Sequence, residues 1–126
     1  MRALLLVIAL LISGSPAGAP LAIPHYQRPP AVPLVDPMSL LPIDVQAHFE
    51  CIAWTESRGK LVDTNPASNA QGLYQFLPGI WQFARKNIPG LPATPNQASR
   101  YQQDVVAVWY YQRNGGFSPE WSYRCV

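Results

Sequence analysis

The segment "WTESRGK" at residues 54–60 places a glutamate, Glu56, at the end of a stretch with helical periodicity. Apolar residues recur upstream at the spacing of one helix face, and position 56 falls on that face; they are Val45, Phe49, Ile52 and Ala53. At a frayed helix end Glu56 would be solvated beside Arg58 or Lys60. In a cleft, apolar neighbours would desolvate it and raise its pKa, which would make it a general acid near neutral pH.

Two neighbours of Glu56 are compatible with the cleft interpretation, which stays open beside the solvated helix end. Gly59 allows the chain to turn away sharply after the helix, and Ser57 is placed to hold the carboxyl group from the side. A desolvated carboxyl group costs a small domain a large fraction of its stability. We therefore expect such a placement to have a functional reason.

Three helices around a small core are predicted to position this residue in a mainly α fold. The first covers about 43–56, the second begins at Pro78 in "LPGIWQFARK", and the third follows Ser99-x-x-Gln102, which has the form of a capping box. The third helix is predicted to end at Gly115-Gly116, and Thr94-Pro95-x-Gln97 is an alternative start. Between helices one and two, turn residues at 63–72 precede a short β segment at Leu73–Phe76.

Residues 1–22 have the layout of a secretory signal peptide. A basic second residue precedes an apolar run from Ala3 to Ile12 and then small residues, which allow cleavage after Ala17, Ala19 or Ala22. A permanent anchor is the weaker alternative, because the run is about half of the ~20 residues that span a bilayer. We expect a protein secreted to the cell wall or medium, with no membrane association after cleavage.

A proline-rich linker, residues 23–42, is predicted to follow the signal peptide. Seven of the 14 prolines fall within residues 20–42, and such segments favour extended polyproline II conformation over a packed element. The remaining residues, 43–126, form one small domain.

The two cysteines of the chain, Cys51 and Cys125, bracket nearly all of this domain. In an exported protein such a pair indicates a disulfide, which would stabilise the fold by roughly 3–5 kcal/mol. His25 and His48 lie outside any metal-ligand spacing, so neither a metal nor a cofactor is expected.

Charge excludes one class of partner. Residues 43–126 contain seven Lys and Arg against six Asp and Glu, with no basic run longer than Arg85-Lys86. A nucleic-acid-binding domain needs a stronger basic footprint. The expected state is a monomer with no nucleic-acid partner.

Taken in order, four segments resemble the lysozyme-like catalytic domain of actinobacterial resuscitation-promoting factors. They are "ESRGK" at 56–60, "GLYQF" at 72–76, Trp81 and "ASRYQQ" at 98–103. The soluble lytic transglycosylases show a looser version, Glu-Ser followed by Gly-Leu-x-Gln. The resemblance covers essentially all of residues 45–126. It departs from the best-known members of that family at one position. Thr55 stands where those proteins have their first cysteine, whereas the first cysteine of this chain is Cys51.

The resemblance implies a transglycosylase-like α+β domain that cleaves the β-1,4 bond between N-acetylmuramic acid and N-acetylglucosamine in peptidoglycan. Glu56 would be the single catalytic acid and base, and Gln75 and Ser57 would contact the substrate or support the carboxyl group. Tyr74 and Trp81 would form a sugar-facing aromatic wall. Trp109 is predicted to fill the core instead.

A second carboxylate would change this mechanism, because glycosidases that use two hold them about 5–9.5 Å apart. Asp63, in the loop that would rim the cleft, is the nearest candidate after Glu56. Without one, the N-acetyl group of the substrate would stabilise the oxocarbenium-like centre. Glu56 would then activate the muramic C6 hydroxyl, giving a 1,6-anhydro product, or a water molecule. The alternative to an enzyme is a secreted module that binds cell-wall glycans or signals without cutting.

Overall fold

The computed structural model describes residue 18, residues 34–122 and residue 125. The predicted signal peptide, apart from Gly18, lies outside these residues, and so do residues 23–33 of the predicted linker and Tyr123. None of the helices in the described part combines the length and the apolar character that crossing a membrane requires.

The described residues are mainly helical, as predicted. Four α-helices follow one another: α1 (Ile43–Ser57), α2 (Pro78–Asn87), α3 (Arg100–Asn114) and the short α4 (Pro119–Ser122). Short 3-10 helices precede α1 at Pro37–Leu40 and α3 at Pro95–Gln97.

Local capping explains where α2 and α3 begin and end. Pro78 is the first residue of α2, a position where a missing N–H costs nothing. At the start of α3, Gln102 N donates to Ser99 Oγ at 3.2 Å, and Ser99 N donates to Gln102 Oε1 at 2.9 Å. This reciprocal pair confirms the predicted capping box. Gly115, with φ +68°, ends α3 as predicted.

Isolated bridges are the only β structure in the described residues between α1 and α2. Gln71 pairs with Thr64 and with Phe76 in antiparallel bridges. Between those bridges the chain turns, because Gly72 (φ +81°) and Gln75 (φ +51°) both adopt the left-handed backbone conformation. An extended strand has negative φ throughout, so the run at 73–76 folds as a turn.

Aromatic side chains dominate the core. Phe49 on α1 packs edge-on against Tyr74 and Trp121, with ring centroids 6.0 and 6.3 Å apart. Such pairs contribute about 0.5–1.5 kcal/mol each beyond the burial of their area. Through Trp121 the short helix α4 packs against the first helix.

The folded unit begins before residue 43. Met38, in the 3-10 helix Pro37–Leu40, is buried and belongs to the core cluster. This 3-10 helix also contacts α3. The end of the predicted linker is therefore a packed element rather than a passive spacer.

Candidate active site

Glu56 is the penultimate residue of α1 and lines a cavity of about 240 Å³. The helix ends directly after it because Arg58 and Gly59 adopt left-handed conformations, with φ +58° and +73°. Their amides still reach back, Arg58 N to Trp54 O at 2.9 Å and Gly59 N to Ala53 O at 3.1 Å. The turn leaves the Glu56 side chain half-buried.

The cavity has three walls. The end of α1 and the turn that follows it form the first, the start of α2 with the end of α3 forms the second, and the chain around α4 forms the third. Its apolar lining consists of Ala70, Phe76, Leu77, Ile80 and Trp121. Its polar lining consists of Glu56, Asn65, Ser68, Gln75, Tyr110, Ser118 and Glu120. A concave site that combines apolar side chains with hydrogen-bonding groups is typical of ligand binding.

Gln75, of the Gly-Leu-x-Gln segment, lines the same cavity as Glu56; its contact with substrate stays a prediction. Its backbone is left-handed, and its Nε2 donates to Gly72 O at 2.9 Å. A non-glycine residue in that conformation costs on the order of 1 kcal/mol. Strain of this kind concentrates at functional sites.

The turn that carries Gln75 is fastened to α3 by Gln103, which is fully buried. Leu73 N donates to Gln103 Oε1 at 2.7 Å. The Gln103 amide nitrogen lies 3.0 Å from Leu61 O and from Pro95 O. The Gln103 side chain thus connects three loop segments to α3 by hydrogen bonds.

Ser57 supports the site without facing it. The residue is buried, with Oγ 3.0 Å from Ala53 O and 2.8 Å from Leu73 O. It does not line the cavity. The expectation that Ser57 contacts substrate is corrected: its hydroxyl binds the carbonyl oxygens that join α1 to the Gln75 turn.

Tyr74 and Trp81 do not form a sugar-facing wall, because each is only 1% exposed. Tyr74 Oη donates to Asp104 Oδ1 at 2.5 Å, and burial together with the adjacent Asp104 charge raises the pKa of Tyr74. Trp81 Nε1 donates to Pro92 O at 3.0 Å. Both rings belong to the core.

Trp109 packs against that core, in agreement with its predicted role. Its ring is partly buried and lies 5.4 Å from the Phe83 ring.

Asp63 is not among the residues that line the Glu56 cavity. Its N–H donates to Asn96 Oδ1 at 3.0 Å, and its carbonyl oxygen accepts from Gly72 N at 2.9 Å. The loop therefore uses the Asp63 backbone to hold the turn. The prediction of Asp63 as a second carboxylate is corrected, since Glu120 is the acidic residue that lines the cavity with Glu56.

The predicted disulfide joins Cys51 on α1 to Cys125, with Cα atoms 5.8 Å apart. Thr55 Oγ1, one turn after Cys51, lies 3.7 Å from Cys125 Sγ. The bridge thus holds the chain that follows α4 beside the helix that carries Glu56.

Tyr110 and Glu120 are cavity residues that sequence reasoning missed. Helical spacing gives a signal for Tyr110, which follows the buried Gln103 and Val106 by seven and four positions. The disulfide gives a signal for Glu120. Glu56 lies five residues after Cys51 and Glu120 lies five residues before Cys125, so each glutamate is close in sequence to one end of the bond.

The arrangement suits proton transfer to a bound molecule. A half-buried carboxyl group and a fixed amide side chain face one hollow, with hydroxyl groups and aromatic edges around them. Among residues 34–122 and 125, no three His, Cys, Asp or Glu side chains group as metal ligands do.

Comparison with known proteins agrees with this chemistry. Residues 44–122 match the family model of the transglycosylase-like domain. The chain is 38% identical over 74 residues to the probable transglycosylase SceD 3 of Staphylococcus saprophyticus and to the probable transglycosylases SceD of Staphylococcus haemolyticus and Staphylococcus aureus.

These matches cover 58% of the chain but only 30–31% of each relative. No solved structure matches the chain significantly. The narrower assignment to resuscitation-promoting factors stays a prediction.

Proposed function

Because the chain belongs to the transglycosylase-like domain family, we propose that it is a secreted enzyme that cleaves the glycan strands of peptidoglycan. The bond cut is the β-1,4 linkage between N-acetylmuramic acid and N-acetylglucosamine. The observation that carries the proposal is the position of Glu56, half-buried at the end of α1 in a cavity that it shares with Gln75.

Glu56 donates its proton to the glycosidic oxygen in the first step. A carboxyl group that reaches the glycosidic oxygen of a bound substrate can act as its general acid. The N-acetyl group of the substrate stabilises the oxocarbenium-like centre that forms at C1. Attack by the muramic C6 hydroxyl then gives a 1,6-anhydro product. Attack by water, the lysozyme-like alternative, gives a reducing end.

The remaining lining residues orient the sugar. Gln75, Asn65 and Ser68 supply hydrogen-bonding groups to the lining. Tyr110, which is half-buried, supplies an aromatic ring to the lining, a role that the resemblance assigned to Tyr74 and Trp81. Aromatic rings pack against the apolar faces of pyranose sugars, so Tyr110 takes the place of the predicted wall.

Digestion of purified peptidoglycan tests the proposal. The wild-type protein, Glu56→Gln and Asp44→Asn are compared, with the released muropeptides weighed by mass spectrometry. Asp44 is an exposed acidic residue in the first turn of α1 and serves as the control. We expect wild type and Asp44→Asn to release products lighter by one water molecule than hydrolysis products, and Glu56→Gln to lose at least about 100-fold in rate.

Equal release by wild type and Glu56→Gln would refute the role of Glu56. Binding of the wild-type protein to peptidoglycan without any release would instead favour the non-catalytic glycan-binding or signalling module. Secretion has its own test, which is the N-terminal sequence of the exported protein. We expect it to begin after residue 17, 19 or 22.

A further inference from the structure

We propose that Glu120 is a second catalytic carboxylate, which accepts the proton of the attacking hydroxyl group while Glu56 donates its proton to the leaving oxygen. The inference rests on the proposed function and deepens it, because it divides between two residues the acid and base steps that the sequence assigned to Glu56 alone.

A census of the acidic residues identifies Glu120. The chain has seven Asp and Glu residues, and all of them lie in the described part. Two of the seven line the cavity, Glu56 and Glu120. The other five are engaged elsewhere or lie outside the cavity. They are Asp36, which caps a 3-10 helix, Asp44 at the start of α1, Glu50 and Asp104, which both bind Arg100, and Asp63 in the loop.

The fold holds Glu120 at the cavity although α4 is short. Its neighbour Trp121 is buried, packs within 6.1 Å of the Tyr74 ring and 5.7 Å of the Tyr110 ring, and donates its N–H to Ser118 O at 3.0 Å. Beyond α4, Cys125 is bonded to α1. The segment that directly follows Glu120 is therefore anchored to the core by Trp121 and to α1 by Cys125.

The two carboxyl groups differ in their surroundings. Glu56 is half-buried, whereas Glu120 is exposed. The two carboxyl groups therefore line one cavity from different depths, with Glu56 on the inner side of the lining and Glu120 open to solvent.

The proposed step balances without a further reactant. The bond between C1 of muramic acid and the glycosidic oxygen breaks, and that oxygen takes the Glu56 proton. A new bond forms between C1 and the C6 oxygen, and the C6 hydroxyl proton passes to the Glu120 carboxylate. Glu56 ends ionised and Glu120 protonated, and exchange with solvent restores both.

Kinetics of the full-length protein on peptidoglycan test the division of roles. Wild type, Glu56→Gln, Glu120→Gln, Glu120→Ala and the control Asp44→Asn are compared between pH 4 and 9, and Glu120→Ala is also assayed with added sodium formate. A general base contributes about 100- to 10,000-fold, so Glu120→Gln is expected to lose at least about 100-fold in kcat/KM. Because Glu120 is exposed, we expect its variants to keep the wild-type Tm.

Two readouts separate a base from a structural group. Loss of the base removes the acidic limb of the pH profile of kcat/KM, and formate, a small carboxylate, restores activity to Glu120→Ala. Activity of Glu120→Gln within about twofold of Asp44→Asn would overturn the proposal. An intact acidic limb without rescue would do the same. Absence of any product from the wild-type protein would instead overturn the proposed function itself.

Discussion

Ser57 Oγ lies 2.8 Å from the carbonyl oxygen of Leu73, inside the protein. This hydrogen bond joins the last residue of α1, next to Glu56, to the turn that carries Gln75. The two side chains at the cavity therefore sit on segments that are fastened to each other. The bond fixes their relative position as well as stabilising the fold.

Replacing Ser57 by alanine is expected to weaken both properties. Leu73 O would be left buried without this donor, which costs about 1–3 kcal/mol. Small displacements of catalytic groups lower kcat more than they raise KM. The measurement is urea unfolding together with kcat and KM on peptidoglycan. Ser39→Ala is the control, because Ser39 Oγ makes a similar bond to Asp36 O at 2.7 Å on the exposed surface. Equal stability of the two variants would contradict the prediction.

Two substitutions at Gln75 distinguish the role of its side chain in activity from the cost of its strained backbone conformation in stability. Glycine tolerates φ +51° and alanine does not. Gln75→Gly is therefore expected to be more stable than Gln75→Ala by about 1 kcal/mol. Both variants should lose the same large part of activity if the amide side chain orients the substrate. Thermal unfolding and peptidoglycan digestion give the two readouts. Full activity in either variant would show that the Gln75 side chain does not orient the substrate.

Gly72 and Gly59 form a matched pair for testing how tightly the Gln75 turn packs. Both have positive φ, +81° and +73°, so alanine at either site costs roughly 1–2 kcal/mol in backbone strain. A Cβ at Gly72 would also collide with the buried amide of Gln103 and approach Pro95 Cβ to 3.1 Å, whereas one at Gly59 meets open space.

We expect Gly72→Ala to be at least about twice as destabilising as Gly59→Ala, because overpacking adds about 1–3 kcal/mol. Urea unfolding measures both free energies. Equal losses would mean that Gln103 moves aside without cost.

Local signals were enough to predict the three longer helices, α1, α2 and α3, but not the short α4. The bounds of α2 and α3 follow from Pro78, the Ser99–Gln102 capping box and Gly115, which act within one turn of the chain. The periodicity of α1 and the turn at Gly59 place Glu56 at a helix end, but they leave open whether it faces solvent or a cleft. These interactions span few residues, so the order of residue types determines them.

The walls of the cavity depend on contacts that are distant in sequence. Tyr74 was expected to face solvent, but its hydroxyl group reaches Asp104, thirty positions away, and this partner makes its burial favourable. Glu120 reaches the cavity because the chain after α3 folds back onto α1. Helical spacing says nothing about which distant segment covers a helix. The disulfide was the one long-range constraint that the sequence contained.

The Tyr74–Asp104 hydrogen bond predicts a loss of stability at alkaline pH. Burial and the Asp104 charge raise the pKa of Tyr74 above the ordinary value. Between pH 10 and the folded-state pKa, the unfolded chain has lost this proton and the folded chain retains it. The free energy of unfolding therefore falls by about 1.4 kcal/mol per pH unit from this group, and below pH 10 its contribution is fully present.

Tyr74→Phe lacks this titration. The stability difference between wild type and Tyr74→Phe should be constant up to pH 9 and decrease as the pH rises from 10 to 11. Urea unfolding at pH 8, 9, 10 and 11 measures it. A difference that does not change across the series would contradict the prediction.

Reduction of the Cys51–Cys125 bond should affect both stability and activity. The chain contains no other cysteines, so a reductant acts on this bond alone. The bond spans 74 positions, and its loss is expected to cost about 3–5 kcal/mol, which lowers the Tm by more than about 10 °C for a domain of this size. Activity should fall even at temperatures where the reduced protein is folded, because the bond holds the wall that contains Glu120 and Trp121.

Circular dichroism and peptidoglycan digestion are compared for the oxidised protein, the reduced protein and the Cys51→Ser/Cys125→Ser variant. Full activity of the folded double variant would show that α1 and α4 keep the cavity in shape without the covalent link.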